Sequence, residues 1–181
     1  MTTESGGKPH PFGAGKFNRR SRKIPYPFVG RRARGAFGAG KKEDHGADWR
    51  VIEIPADIRD AMITHAREEL PNEACGLLAG PDGRAEHQFR MRNADESPMT
   101  YRMDSKEQLR VFNEIEEKGW EIAAIYHSHT HTEAYPSETD RRQAFYPDAH
   151  YILVSLAQED PLVRAFTMRD GEIEEQELRI V

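Results

Sequence analysis

Two histidines set two residues apart, then a serine and an aspartate, are the side chains best spaced for metal chemistry: His127, His129, Ser137 and Asp140 in HSHTHTEAYPSETD. A catalytic zinc takes three protein ligands of nitrogen or carboxylate type and keeps one position open for water. The preceding EIAAIY, Glu121 to Tyr126, reads as a buried strand, and at a strand end residues i and i+2 leave the same face. Pro136 interrupts the chain, and Ser137 opens a helix whose first turn holds Asp140, from where a carboxylate can reach back. A strand, a loop and a helix start would then converge on one ion, unlike HExxH, where one helix supplies both histidines. Each piece also has a plain structural reading. Ser137 with Asp140 is an S-x-x-D capping box, and alternating histidines occur on polar strand edges. The metal reading rests on the combination, an apolar strand ending abruptly in ionisable rings.

The elements that would position this group can be read outward from it. WRVIEI is a short first strand, and Pro55 suits the first position of a helix carrying an apolar stripe of Ile58, Ala61, Met62, His65 and Ala66. His65 lies on that stripe and is expected to be packed rather than to bind a metal. CGLLAG and AEHQFRMR read as a hairpin through PDG, with Asp82 and Gly83 supplying the turn. YRMD reads as a short strand. Asp104 and Glu107 form a capping box for the helix SKEQLRVFNEIEEK, which should bury Leu109, Phe112 and Ile115 and stop at Gly119. HYILVSLA is another apolar strand, and VRAFTM with EIEEQEL close a hairpin around Asp170 and Gly171. Strands outnumber helices, a pattern that fits an α/β fold with a mixed sheet and helices on its faces.

Charge divides the chain. Residues 1–49 carry 11 Lys/Arg against 4 Asp/Glu and 9 of the 14 glycines, whereas residues 50–181 carry 15 Lys/Arg against 27 Asp/Glu. The first segment cannot bury enough apolar surface to offset its ordering entropy and is expected to be a disordered basic Gly/Arg-rich arm. Residues 50–181 suffice for one domain. No apolar run approaches the roughly 18 residues of a membrane helix, and the N-terminus lacks a hydrophobic secretory segment. Cys75 is the only cysteine, which points to a reducing cytoplasm. Within CGLLAG it reads as a small core residue, not a nucleophile.

At a larger scale the residues resemble a family. HSH, seven residues, S, two residues and D resembles the JAMM motif of the MPN-domain metallopeptidases, and Glu73 in PNEACGLLAG occupies the place of that family's upstream catalytic glutamate. The segments NEACGLLAGPDG, SPMTYRMDSKEQL, YHSHTHTEAYPSETD and PDAHYILVS extend the likeness to the actinobacterial Mec-type branch over Val51 to Val181. The resemblance implies the MPN fold, similar to the cytidine deaminase architecture. It implies one Zn2+ per chain on His127, His129 and Asp140, with Glu73 moving the proton and Ser137 donating to the oxyanion. The implied reaction is cleavage of the amide between the C-terminal Gly-Gly tail of a ubiquitin-like, CysO-like sulfur-carrier protein and an added cysteine, releasing L-cysteine for biosynthesis.

Tyr101, Arg102 and Tyr135 are candidates for lining a substrate channel, against the ordinary reading of packed or solvated side chains. His131 lies one strand period beyond His129, but the chain should by then have turned, and the family pattern does not require it; His87 and His150 receive no role. Other functions stay open. A broader isopeptidase would remove ubiquitin-like proteins from lysines. A non-catalytic MPN binding module would lack the metal set that is complete here. Nucleic-acid binding through the basic arm is the weaker alternative, since RadC-type relatives read HNHPSG where this chain has HSHTHT. The sequence leaves a homodimer undecided.

Overall fold

The computed structural model describes residues 50–181, so the expected basic arm over 1–49 lies outside the described residues. In chain order the elements are β1 (Val51–Ile54), α1 (Ala56–Glu68), β2 (Cys75–Gly80), β3 (His87–Met91), α2 (Ser105–Glu117), β4 (Glu121–His129), α3 (Glu138–Gln143), β5 (His150–Ser155), β6 (Leu162–Arg169) and β7 (Glu172–Ile180). The strands form one mixed sheet ordered β1-β7-β6-β5-β4-β2-β3. β4 and β5 run parallel, as do β1 and β7, and the other neighbours are antiparallel.

Both sheet faces are covered. On one side Ile58, Met62 and Ala66 of α1 pack with Leu78, Ala124, Tyr126, Ile152 and Val154. On the other, Val111 and Ile115 of α2 pack with Leu77, Phe89, Ile125 and Tyr151. Burial on both faces explains why β2 and β5 are nearly continuous apolar runs rather than alternating ones. Among the described residues no helix is long and apolar enough to cross a membrane.

Turn chemistry sets the connections. Asp82 at φ 53° and Gly83 at φ 71° turn the chain between β2 and β3, and Asp170 at φ 53° with Gly171 at φ 83° close the β6–β7 hairpin. Pro55 stands one residue before the helix, as its cap. His65 is packed: its Nδ1 lies 2.8 Å from the Tyr126 hydroxyl, and burial pulls its pKa down to about 4, leaving it neutral. Cys75 is buried, and burial pushes its thiol up to about 12, as suits a core residue.

Four further expectations change. β4 continues through His129, so HSH belongs to the strand instead of following it. YRMD forms no strand; only a single bridge joins Met103 to Asn93. Asp104 caps α2 by accepting from the Lys106 and Glu107 backbone N–H groups, but the Glu107 carboxylate turns away and accepts from Arg92 N at 2.7 Å. Within α2, Val111 and Ile115 are buried while Leu109 is 50% exposed.

Candidate metal centre

The connection from β4 to β5 is a parallel crossover, which must leave the end of β4 and return alongside it. Its short helix α3 therefore starts beside the C-terminal end of β4. Ser137 is the cap, with its Oγ accepting from Asp140 N at 3.2 Å and its own N–H donating to Asp140 Oδ2 at 2.7 Å. The capping box is real, and it aims the Asp140 carboxylate at the histidines. His127 Nε2 lies 3.3 Å from Asp140 Oδ1, His129 Nε2 lies 3.3 Å from Asp140 Oδ2, and the two Nε2 atoms are 3.3 Å apart.

Three donors at equal separations fit a specific object. An ion bound at about 2.0–2.1 Å with tetrahedral angles holds its ligands about 3.3–3.4 Å apart, the geometry of zinc with imidazole and carboxylate. The three residues are all buried, and they are the group among the described residues whose donors could hold a metal. His129 is prepared for it: Nδ1 donates to the Glu133 carbonyl at 2.8 Å, which leaves the Nε2 lone pair facing the other two donors. Burial works against a charge on His129, but the Asp140 hydrogen bond and the Glu133 carbonyl outweigh it and hold its pKa above the ordinary value. Burial alone would raise the Asp140 pKa; the neighbouring His127 and His129 reverse this and pull it well below the carboxylate range, so the ligand stays ionised. His127 Nδ1 is buried without a partner, and its ring is held instead by Tyr101, stacked at 4.3 Å and 22°.

Glu73 is 4% exposed just before β2. Ala74 N donates to Ser128 Oγ at 2.8 Å, and Ser128 N donates to the Ala74 carbonyl at 2.9 Å, so the head of β2 is clamped to the strand segment between the two histidines. Burial pushes the Glu73 carboxyl up to about 7, with His129 lowering it and Asp140 raising it. Asn93 supports the same wall. Its amide donates to the Glu73 carbonyl at 3.1 Å and the Thr100 carbonyl at 3.0 Å, and its own oxygen accepts from Arg102 N at 3.2 Å. One buried side chain thus fixes both the glutamate backbone and the residues flanking Tyr101.

The other expected channel residues divide. Tyr101 is at the site. The Arg102 guanidinium is engaged by Asp95 at 2.9 Å rather than by the three donors. Tyr135 is 43% exposed and meets Phe166 edge-on. His131 is exposed and outside the donor group. Sequence reasoning missed Ser128 and Asn93, because a lone Ser or Asn has no spacing signature; only the long-range pairing reveals their partners.

Comparison with known proteins agrees with this geometry. Residues 55–169 match the family of prokaryotic homologs of the JAB domain. The chain is 48% identical over 136 residues to the CysO-cysteine peptidase of Mycobacterium tuberculosis H37Rv, covering 72% of this chain and 92% of that one. It is 36% identical over 112 residues to the desampylase of Haloferax volcanii, covering 58% of this chain and 80% of that protein. Among solved structures, protein DSY2949 of Desulfitobacterium hafniense superposes with a TM-score of 0.67 at 36% identity, over 72% of this chain and 92% of the other. The protein therefore belongs to the prokaryotic JAB-domain family, with the JAB/MPN fold, and is a hydrolase of the JAMM type.

Proposed function

We propose that this chain is a zinc-dependent peptidase that cleaves the amide between the C-terminal Gly-Gly tail of a ubiquitin-like sulfur carrier and an added cysteine. The observation that carries the metal is the triangle of His127, His129 and Asp140 donors with 3.3 Å edges. The substrate reading draws on the relative named CysO-cysteine peptidase, 48% identical over 136 residues.

His127, His129 and Asp140 would hold the ion, one per chain. When bound, zinc lowers the pKa of water and polarises the scissile carbonyl. Glu73 takes the proton of the attacking water and carries it to the leaving nitrogen. A carboxyl raised to about 7 suits both halves of that transfer, because near neutral pH it is neither firmly protonated nor firmly ionised. The Ser137 hydroxyl accepts from Asp140 N through a lone pair, which leaves its O–H free to donate to the oxyanion of the tetrahedral intermediate. Tyr101 holds the His127 ring and forms part of the wall along which the tail would lie. A Gly-Gly tail suits a narrow approach because it brings no side chains and can lie fully extended.

A second reading has support of its own: relatives named desampylase and probable TtuB-protein conjugate cleaving protease, 36% and 30% identical, point to a broader isopeptidase acting on lysine conjugates. Competition separates the two. The cysteine adduct and a lysine isopeptide of the same carrier are offered together, and kcat/KM is taken from mass-spectrometric product ratios. The cysteine reading expects at least tenfold preference for the adduct; equal values would favour the isopeptidase.

A further inference from the structure

Three consecutive carbonyls in the loop after β4 are each held by a side chain from a different strand. Ser155 Oγ on β5 donates to the Thr132 carbonyl at 2.6 Å, His129 Nδ1 on β4 donates to the Glu133 carbonyl at 2.8 Å, and Arg164 Nη1 on β6 donates to the Ala134 carbonyl at 3.2 Å. The middle contact, with Thr132 Oγ1 3.0 Å from the same nitrogen, turns the His129 lone pair toward His127 and Asp140. The outer two hold the peptide units on either side of it, so they fix where the Glu133 oxygen stands.

Arg164 is suited to this task by its planar fork. Glu175 on β7 takes Nε at 2.8 Å and Nη2 at 2.5 Å, leaving Nη1 for the loop. The guanidinium also lies 5.2 Å from the Phe166 ring centre. Side chain, carboxylate and ring together set the plane of the donor before it meets Ala134, a fully buried residue that packs on Leu153 and Phe166. A lysine would keep the charge but could not satisfy Glu175 and Ala134 in one plane.

We infer that Arg164, held by Glu175, is a positioning residue for the metal ligand His129, acting through the Ala134 carbonyl and the loop that Ser155 secures on its other side. Nothing in the metal motif includes it, since it lies two strands away. The inference rests on the zinc reading above.

The test is zinc affinity, measured by competition with a chelating indicator, together with the melting temperature of zinc-free protein. The full chain is compared with Arg164→Gln, Arg164→Lys and the control Arg179→Gln, which removes a β7 arginine paired with Glu177 and Glu53 and not with the loop. Loss of a contact that orients a ligating histidine is expected to weaken zinc by about 10- to 100-fold in Arg164→Gln, with Arg164→Lys recovering only part. The zinc-free melting temperature should fall no further than in Arg179→Gln. Zinc affinity within twofold of the unmodified chain, or a loss matched by a comparably large fall in zinc-free melting temperature, would overturn the assignment. If the unmodified chain itself fails to bind zinc, the metal reading fails with it.

Discussion

Ser137 caps a helix, a duty that could be mistaken for its whole purpose, and Glu73 could be mistaken for an ordinary buried carboxyl; substitutions separate the chemical roles from these. Glu73→Gln keeps the shape of the side chain and removes its proton chemistry. It should retain zinc while losing about 10²- to 10⁴-fold in turnover. It should also change the pH dependence of folding in metal-free protein. Native Glu73 keeps its proton up to about 7 because burial disfavours the charge, whereas an unfolded chain releases it near the ordinary carboxyl value of 4.5. Between those values unfolding releases a proton, so this group's stability is present below 4.5 and lost as pH rises through 7. Melting curves of chelated protein from pH 4 to 8 should therefore lose that component in Glu73→Gln; identical profiles would place the carboxyl in water. Ser137→Ala removes both the cap and the hydroxyl donor. A mere cap costs ~1 kcal/mol and leaves turnover of the folded enzyme near normal. An oxyanion donor costs about 10²- to 10³-fold in kcat, which steady-state kinetics on folded protein would register.

The site depends on β2 meeting β4 in one register, Cys75 opposite His127, with Ser128 closing the end. Gly76 permits that packing, since a Cβ there would stand 2.3 Å from the Phe89 carbonyl and 2.5 Å from the Tyr126 ring. Gly76→Ala should therefore destabilise by about 1–3 kcal/mol or more, seen as a lower denaturation midpoint; an unchanged midpoint would mean that the strands separate easily. Most elements could be read from the sequence because their signals are local: the Asp-Gly turn of the closing hairpin, the serine cap of α3 and the apolar runs of β2 and β5. Where reading failed, distant residues decided. Leu109 lies about 160° around the helix from Val111, so choosing it rotated the expected stripe off the buried one, although Ile115 is buried and Phe112 packs beside it as expected; periodicity fixes an angle, and only the facing sheet selects the side. Glu107 had the right spacing for a capping box but found Arg92 N instead. The histidines, the serine and the aspartate stood out by spacing. Glu73 did not, since nothing local distinguishes it from other acidic residues, and its place beside the histidines comes from β2–β4 pairing.

Across the whole molecule, α1 and α2 cover the two faces of the sheet and leave the end of β4 to the loops that carry the donors. All the proposed catalytic residues lie within residues 50–181, where the described residues bury three hydrophobic clusters. Deleting residues 1–48 should leave melting temperature and turnover nearly unchanged; a marked fall in either would show that this segment docks on the domain. If bound zinc is needed to release cysteine from a Gly-Gly carrier, one mass-spectrometric assay will show it. Protein stripped by exhaustive chelation, and the same protein restored with one equivalent of zinc, are each incubated with a carrier bearing a C-terminal cysteine. The first sample should keep its adduct intact, and the second should hold free cysteine with a carrier ending at its diglycine carboxylate. Equal cleavage in the stripped sample would contradict the need for zinc.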